Sequence, residues 1–159
     1  MALPDKIIAS FICCVKDLNI QIQPAGIDLT VRKMFSFASP AYIGFKDRRP
    51  AKVTELIPTN GVWRLKPGAY KVMFNEIVKV PDDVVGLCFP RSSLLRSGVL
   101  FTCTVWDPGY VGRGEGLLTV LNPHGLELEV GARVAQLVFI KLTEKPSKVY
   151  EGVYKGENM

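Results

Sequence analysis

The sequence predicts one all-β domain (a sandwich, jelly roll or barrel), and two patterns carry that prediction. Short apolar or alternating runs recur along the chain, and turn signals separate them about every 8–12 residues. The 159 residues include 14 Gly and 11 Pro, a density of breakers that suits short strands and disfavours a helical bundle. The length fits one domain with a sizeable core.

The elements follow in chain order. Ile7 to Val15 is apolar without a readable period. Ile20-Gln21-Ile22-Gln23 alternates and predicts a strand, which Pro24-Ala25-Gly26 breaks. Leu29 to Phe37 predicts a longer strand. Residues 39–61 contain Pro40, Gly44, Pro50, Pro58 and Gly61, and predict loops with short strands. Val62 to Leu65 is a strand, Lys66-Pro67-Gly68 a turn, and Ala69 to Phe74 and Glu76 to Val80 are strands. After the Pro81-Asp82-Asp83 turn, Val84 to Phe89 reads as a buried strand. Arg91 to Gly98 is the one predicted helix, with Ser92 and Ser93 able to cap it and Gly98 able to end it. Strands resume at Val99 to Trp106, Gly116 to Leu121, Leu126 to Val130 and Val134 to Leu142. These assignments place one β domain over residues 1–143. The polar segment 144–159 then forms an extended tail.

Composition excludes several classes. Apolar residues make up 48% and charged residues 22%, which argues for a globule and against disorder. No apolar run reaches the roughly 18 residues of a membrane span. The N-terminal residues lack a basic flank followed by a long apolar stretch. The expectation is a soluble, cytoplasmic protein with no membrane partner. The net charge of +5 is modest and its basic residues are scattered apart from Lys46-Asp47-Arg48-Arg49, so a nucleic-acid partner is not expected. Cys13, Cys14, Cys88 and Cys103 form no Cys-x-x-Cys pair, and His124 is the only histidine. That leaves no ligand set for structural zinc and no Ser-His or Cys-His nucleophile. Cys13 and Cys14 read as small core residues, and Cys103 as a buried free thiol.

Four segments carry groups suited to chemistry. Asp28 sits in Pro24-Ala25-Gly26-Ile27-Asp28-Leu29, where the plain reading is a turn carboxylate bonding its own backbone. Arg91-Ser92-Ser93 opens the predicted helix, and free N–H groups beside two hydroxyls and a guanidinium suit phosphate oxygens. Trp106-Asp107-Pro108-Gly109-Tyr110 puts a carboxylate at a strand end and an aromatic after a turn. Such a carboxylate can orient a water, and the ring can cover a sugar. Gln136 lies in an apolar strand within Gly131 to Leu137. A buried amide there has to tie backbone groups together or hold a water.

In this order and spacing, the four segments resemble the trimeric dUTPase and dCTP deaminase superfamily, and most of all its short archaeal-type members. The resemblance covers about residues 20–156. It implies a distorted β-barrel or jelly roll, a homotrimer with sites at subunit boundaries, a deoxynucleoside triphosphate substrate and Mg²⁺. On that resemblance Asp107 polarises the water that attacks the α-phosphorus of dUTP, giving dUMP and pyrophosphate, and Gln136 helps to hold that water. Arg91, Ser92, Ser93 and Arg96 contact phosphates, and backbone around Cys103 and Thr104 reads uracil. Tyr110 stacks on the deoxyribose. Asp28 contacts metal-bound water. Tyr154 and Lys155 lie in a Tyr-x-Gly-x-Tyr-x-Gly tail similar to that of the archaeal-type branch, and become candidates for a lid over a neighbouring subunit.

The superfamily also holds deaminases, which need a Glu three residues before an Asn. Counting back from Asn122 reaches Thr119, which cannot do general acid–base work near neutral pH. Hydrolysis is therefore favoured. The segment Gly112-Arg113-Gly114-Glu115-Gly116 carries two extra residues relative to both branches of the superfamily, so Glu115 is the alternative proton shuttle; otherwise Arg113 and Glu115 occupy a solvated hairpin tip. Deamination of dCTP and non-catalytic nucleotide binding are the competing functions.

Overall fold

The computed structural model describes all 159 residues. Its main sheet is antiparallel. Six strands run side by side in the order Val84–Pro90, Arg133–Lys141, Gly26–Phe37, Gly68–Phe74, Glu115–Val120 and Val99–Thr102. Ile22–Gln23 and Val53–Leu56 add to opposite ends of the long Gly26–Phe37 strand. A small sheet of Ile12–Cys13, Ile77–Lys79 and Val111–Gly112 stands apart, as do the pairs Val62–Leu65 with Leu126–Glu129 and Tyr42–Ile43 with Arg48–Arg49. The result is a nearly closed, mainly β barrel. No helix is long and apolar enough to cross a membrane.

Strand alternation sets the core. Val99 and Phe101 point inward while Leu100 and Thr102 face out; Gly116, Leu118 and Val120 point inward while Leu117 faces out. Phe74 and Phe139 are wholly buried, and each contributes about 1.5–3 kcal/mol by leaving water. The stretch Gly26 to Val31 departs from alternation, with six residues in a row buried. Both faces are covered there, so Asp28 and Thr30 are enclosed along with Ile27 and Leu29.

The structure corrects the sequence reading in five places. First, Leu18–Gln21 is a helical turn rather than the start of a strand. Asp17 caps it, accepting from the Asn19 and Ile20 N–H groups at 3.0 and 3.3 Å, and this local cap outweighs the alternation of Ile20 to Gln23. Second, Asp5–Ile8 is another helical turn, running into a 3₁₀ turn at Ala9–Phe11. The chain therefore has three short α-helical segments, the third being Ser92–Arg96. Arg91, not a serine, is the N-cap of that third one, and no side chain caps it.

Third, Cys88 and Cys103 are joined by a disulfide with Cα atoms 5.9 Å apart, while Cys13 and Cys14 are exposed thiols rather than core residues. Fourth, the strand after the helix ends at Thr102, which leaves Cys103, Thr104 and Val105 in irregular backbone. Fifth, Arg113 is buried rather than at a solvated tip, because the C-terminal residues fold over it. Arg113 N–H donates to Glu157 O at 3.0 Å, Arg113 Nε to Asn158 O at 3.1 Å, and Asn158 Nδ2 to Arg113 O at 3.0 Å. The segment 144–159 thus carries no strand, yet it turns back and packs against its own domain.

Candidate active site

Two groups of the expected residues are brought together, at separate places on one chain. The first gathers around Asp28. The carboxylate is 2% exposed, and its Oδ2 accepts from Arg91 Nη1, from Arg133 Nη1 at 3.1 Å and from Gln23 Nε2 at 3.3 Å. Asp28 is therefore a buried strand carboxylate between two guanidiniums, and the plain turn reading fails. No protein donor reaches its Oδ1. Gln136 stands directly across the ladder from Asp28 and from Phe89. Its amide is half-buried and bonds no protein group. Gly26 makes that possible, because a Cβ there would lie 3.0 Å from Gln136 Cγ and 2.8 Å from the Leu137 carbonyl. Ser92 and Ser93 follow Arg91 at the helix start and are exposed. Arg96 is also exposed and donates to the Ser92 carbonyl at 3.2 Å.

The second group lines a cleft of about 500 Å³ bounded by Thr104, Val105, Trp106, Asp107, Tyr110, Gly114, Glu115, Tyr150, Tyr154 and Glu157. Trp106 anchors it. The indole is buried, stacks edge-on against Tyr110 at 5.2 Å and lies 6.3 Å from Phe74. Its backbone exchanges two hydrogen bonds of 2.9 Å with Gly86. The next residue, Asp107, is thereby fixed at the lip with its carboxylate exposed. Tyr110 is 7% exposed and donates from its hydroxyl to Glu157 Oε1 at 2.8 Å. Burial and Glu157 push the phenol well above its usual range, so it stays a donor. Burial also raises Glu157 above the ordinary carboxylate value, against the pull of the Tyr110 hydroxyl. Glu115 pairs with Lys71 at 2.8 Å.

Tyr154 lines the cleft, with Arg48 stacked 5.6 Å from its ring centroid, whereas Lys155 is exposed and does not line it. Cys103 gives its side chain to the disulfide, so only its backbone is available to a base. Thr119 lies on the Glu115–Val120 strand opposite Leu100 and Ala69, outside the cleft. Sequence reasoning missed Glu157 as a cleft residue, and it missed Arg133 as a second cation on Asp28. Glu157 carried no local signal; Arg133 stood in a recognised segment three residues before Gln136, offset by a bulge.

The cleft holds three carboxylates and three tyrosines and no Lys or Arg, while the arginines, serines and Gln136 converge elsewhere. The cleft suits a base, a sugar and a cation-bound group; the cluster around Asp28 suits phosphates. Together they describe a site for a phosphorylated, aromatic-bearing ligand on a barrel-like β fold.

Comparison with known proteins agrees. A family model described as dCTP deaminase-like matches residues 4–142, and the chain belongs to that family. It is 48% identical over 141 residues to a probable deoxyuridine 5'-triphosphate nucleotidohydrolase of Aeropyrum pernix, covering 89% of both chains. It is 40% identical over 146 residues to a protein of the same name from Methanosarcina mazei, covering 89% of this chain and 85% of the relative. Among solved structures, the 2'-deoxycytidine 5'-triphosphate deaminase of Agrobacterium tumefaciens superposes with a TM-score of 0.66 at 20% identity. The match covers 87% of this chain and 47% of that one, about half its length, and shows a shared fold.

Proposed function

We propose that the chain is a dUTP diphosphatase, hydrolysing dUTP to dUMP and pyrophosphate by attack of water on the α-phosphorus. The observation that carries the reading is Asp107, an exposed carboxylate held at the lip of an aromatic cleft by a buried Trp106. The names of the archaeal relatives support it.

The residues divide the work as follows. Asp107 accepts a hydrogen bond from the attacking water and aims its lone pair in line with the leaving pyrophosphate. Arg91, Ser92 and Ser93 hold phosphate oxygens, Arg96 adds positive charge beside them, and the unbonded amide of Gln136 reaches the phosphates or the water. Backbone at Cys103 and Thr104 reads uracil, whose N3–H is a donor where cytosine has an acceptor. Tyr110 and Tyr154 offer rings to the deoxyribose and base, and the exposed Lys155 reaches from the tail toward the phosphates of a neighbouring subunit's site.

A divalent metal such as Mg²⁺, when bound, would neutralise triphosphate charge. Asp28 fits it, since Oδ1 is left open to accept from a metal-bound water. Because no Lys or Arg lines the cleft and Arg91, Arg96 and Arg133 gather elsewhere, one chain offers two half-sites. A homotrimer that sets the Asp107 cleft of one subunit against the Arg91 helix of the next completes them.

Asp107→Asn tests the reading. Pyrophosphate release from dUTP should fall by about 100-fold or more, while dUTP binding by calorimetry persists. Retained turnover refutes it. A second reading rests on Glu115, whose carboxylate lines the same cleft: deamination of dCTP. Ammonia release from dCTP, read alongside pyrophosphate from dUTP, decides between them.

A further inference from the structure

Glu76 is a wholly buried carboxylate with no cation paired to it. Three neutral donors converge on it. Gln21 Nε2 and Thr30 Oγ1 reach Oε1 at 2.7 and 2.6 Å, and Thr30 N–H reaches Oε2 at 2.9 Å. Both polar side chains have fixed orientations. The Gln21 amide oxygen accepts from the Lys16 and Asp17 N–H groups at 2.8 and 3.0 Å, so its NH₂ must face Glu76. Thr30 Oγ1 accepts from Asn75 Nδ2 at 2.9 Å, so its proton must point to Glu76. Only an acceptor fits at position 76, and a buried acid without a cation is costly enough to need a reason.

The reason lies one step away. The same Gln21 NH₂ also donates to the Asp28 carbonyl at 2.8 Å. Glu76 thus grips the strand at residue 30 directly and at residue 28 through Gln21. This is where regular pairing lapses, because the register between this strand and Arg133–Lys141 slips between Arg133 and Ala135, opposite Leu29 and Thr30. A slack ladder there would let Asp28 swing away from Arg91 and Arg133.

We infer that Glu76 is a positioning residue, an acceptor-only hub that holds Asp28 in the pose where it aligns Arg91 and Arg133 for the triphosphate and its metal. This inference rests on the part assigned to Asp28 in the proposed hydrolysis. It predicts that the defect from losing Glu76 passes through Asp28 rather than through general loosening.

The test is a double-mutant cycle on the full chain, reading dUTP turnover with Mg²⁺ and thermal midpoints. Glu76→Gln replaces one acceptor by a donor facing donors. It should raise KM for dUTP about 10- to 100-fold with a smaller change in kcat. In an Asp28→Asn background the same substitution should change KM by less than about two-fold. Glu76→Asp, which keeps the acceptors, should recover part of the loss. An equal KM penalty in both backgrounds means a purely structural role and overturns the inference, as does an unchanged KM in Glu76→Gln. Should Glu76→Gln fail to fold, Gln21→Met cuts only the link to Asp28 and enters the same cycle, with an unchanged KM again overturning it. A wild-type KM in Asp28→Asn alone is a separate failure, that of the role given to Asp28.

Discussion

Arg91 donates to a carboxylate 63 positions earlier in the chain, Asp28, and Arg133 donates to the same oxygen at 3.1 Å. One enclosed negative charge therefore holds two guanidiniums side by side. Burial and the nearby Arg133 both pull the Arg91 guanidinium below its usual range. Asp28→Asn leaves two facing cations. The expected cost is about 3 kcal/mol, the lower end for breaking a buried ion pair because both arginines are partly solvated. Urea unfolding reads it, and a midpoint equal to that of the native chain would contradict the account.

The end of the chain should respond to pH through Glu157. Docked on Tyr110, its carboxyl titrates above the ordinary value of 4.5. The docked tail holds the proton more tightly than the released tail. Docking from this group is fully present below about pH 4.5 and weakens as pH rises through the docked value. Amide-exchange protection at residues 156–158, taken relative to the intrinsic rate at each pH, should therefore fall over that window in the native chain. Glu157→Gln should flatten the change, and an identical profile in the variant would exclude Glu157 as its source.

How much of this was readable beforehand depended on range. Val62–Leu65 matches its expected bounds and Gly68–Phe74 nearly does, because alternation and flanking turn residues are local signals. The Leu18–Gln21 turn was misread because Asp17 competes locally as a cap. Nothing local marks the Cys88–Cys103 bond, the burial of Arg113 under the last residues, or the enclosure of Glu76, since each is made by chain that arrives from far away. The site divides in the same way. Asp28, Arg91, Asp107 and Gln136 stand in short recognisable segments, whereas Glu157 enters the cleft only because the tail folds back.

The disulfide ties the strand leading into Arg91 to the stretch holding Thr104, across a separation of 15 residues. Closing a loop of that size contributes about 3 kcal/mol by restricting the unfolded chain. Cys88→Ser, or reduction of the native chain, should lower the thermal midpoint by roughly 6–12 °C. Cys13→Ser with Cys14→Ser serves as the control, because both thiols are exposed and free. An unshifted midpoint on reduction would show the bond to be unimportant to stability.

Gly114 should be intolerant of even one methyl group. A Cβ there would sit 2.8 Å from Cζ2 of Trp106 and closer still to Cη2, and the indole cannot retreat because Phe74 and Tyr110 pack against it. Gly114→Ala must therefore push the ring, at about 1–3 kcal/mol of overpacking. Trp106 carries Asp107 on the next residue, so the same push moves the carboxylate at the cleft lip. Misplacement by about 1 Å suffices to slow an in-line attack by about 100-fold. The expected result is a folded enzyme with a lowered midpoint and a kcat for dUTP reduced more than its KM is raised. Loss of stability with kcat untouched would mean that the Trp106 anchor does not govern where Asp107 points.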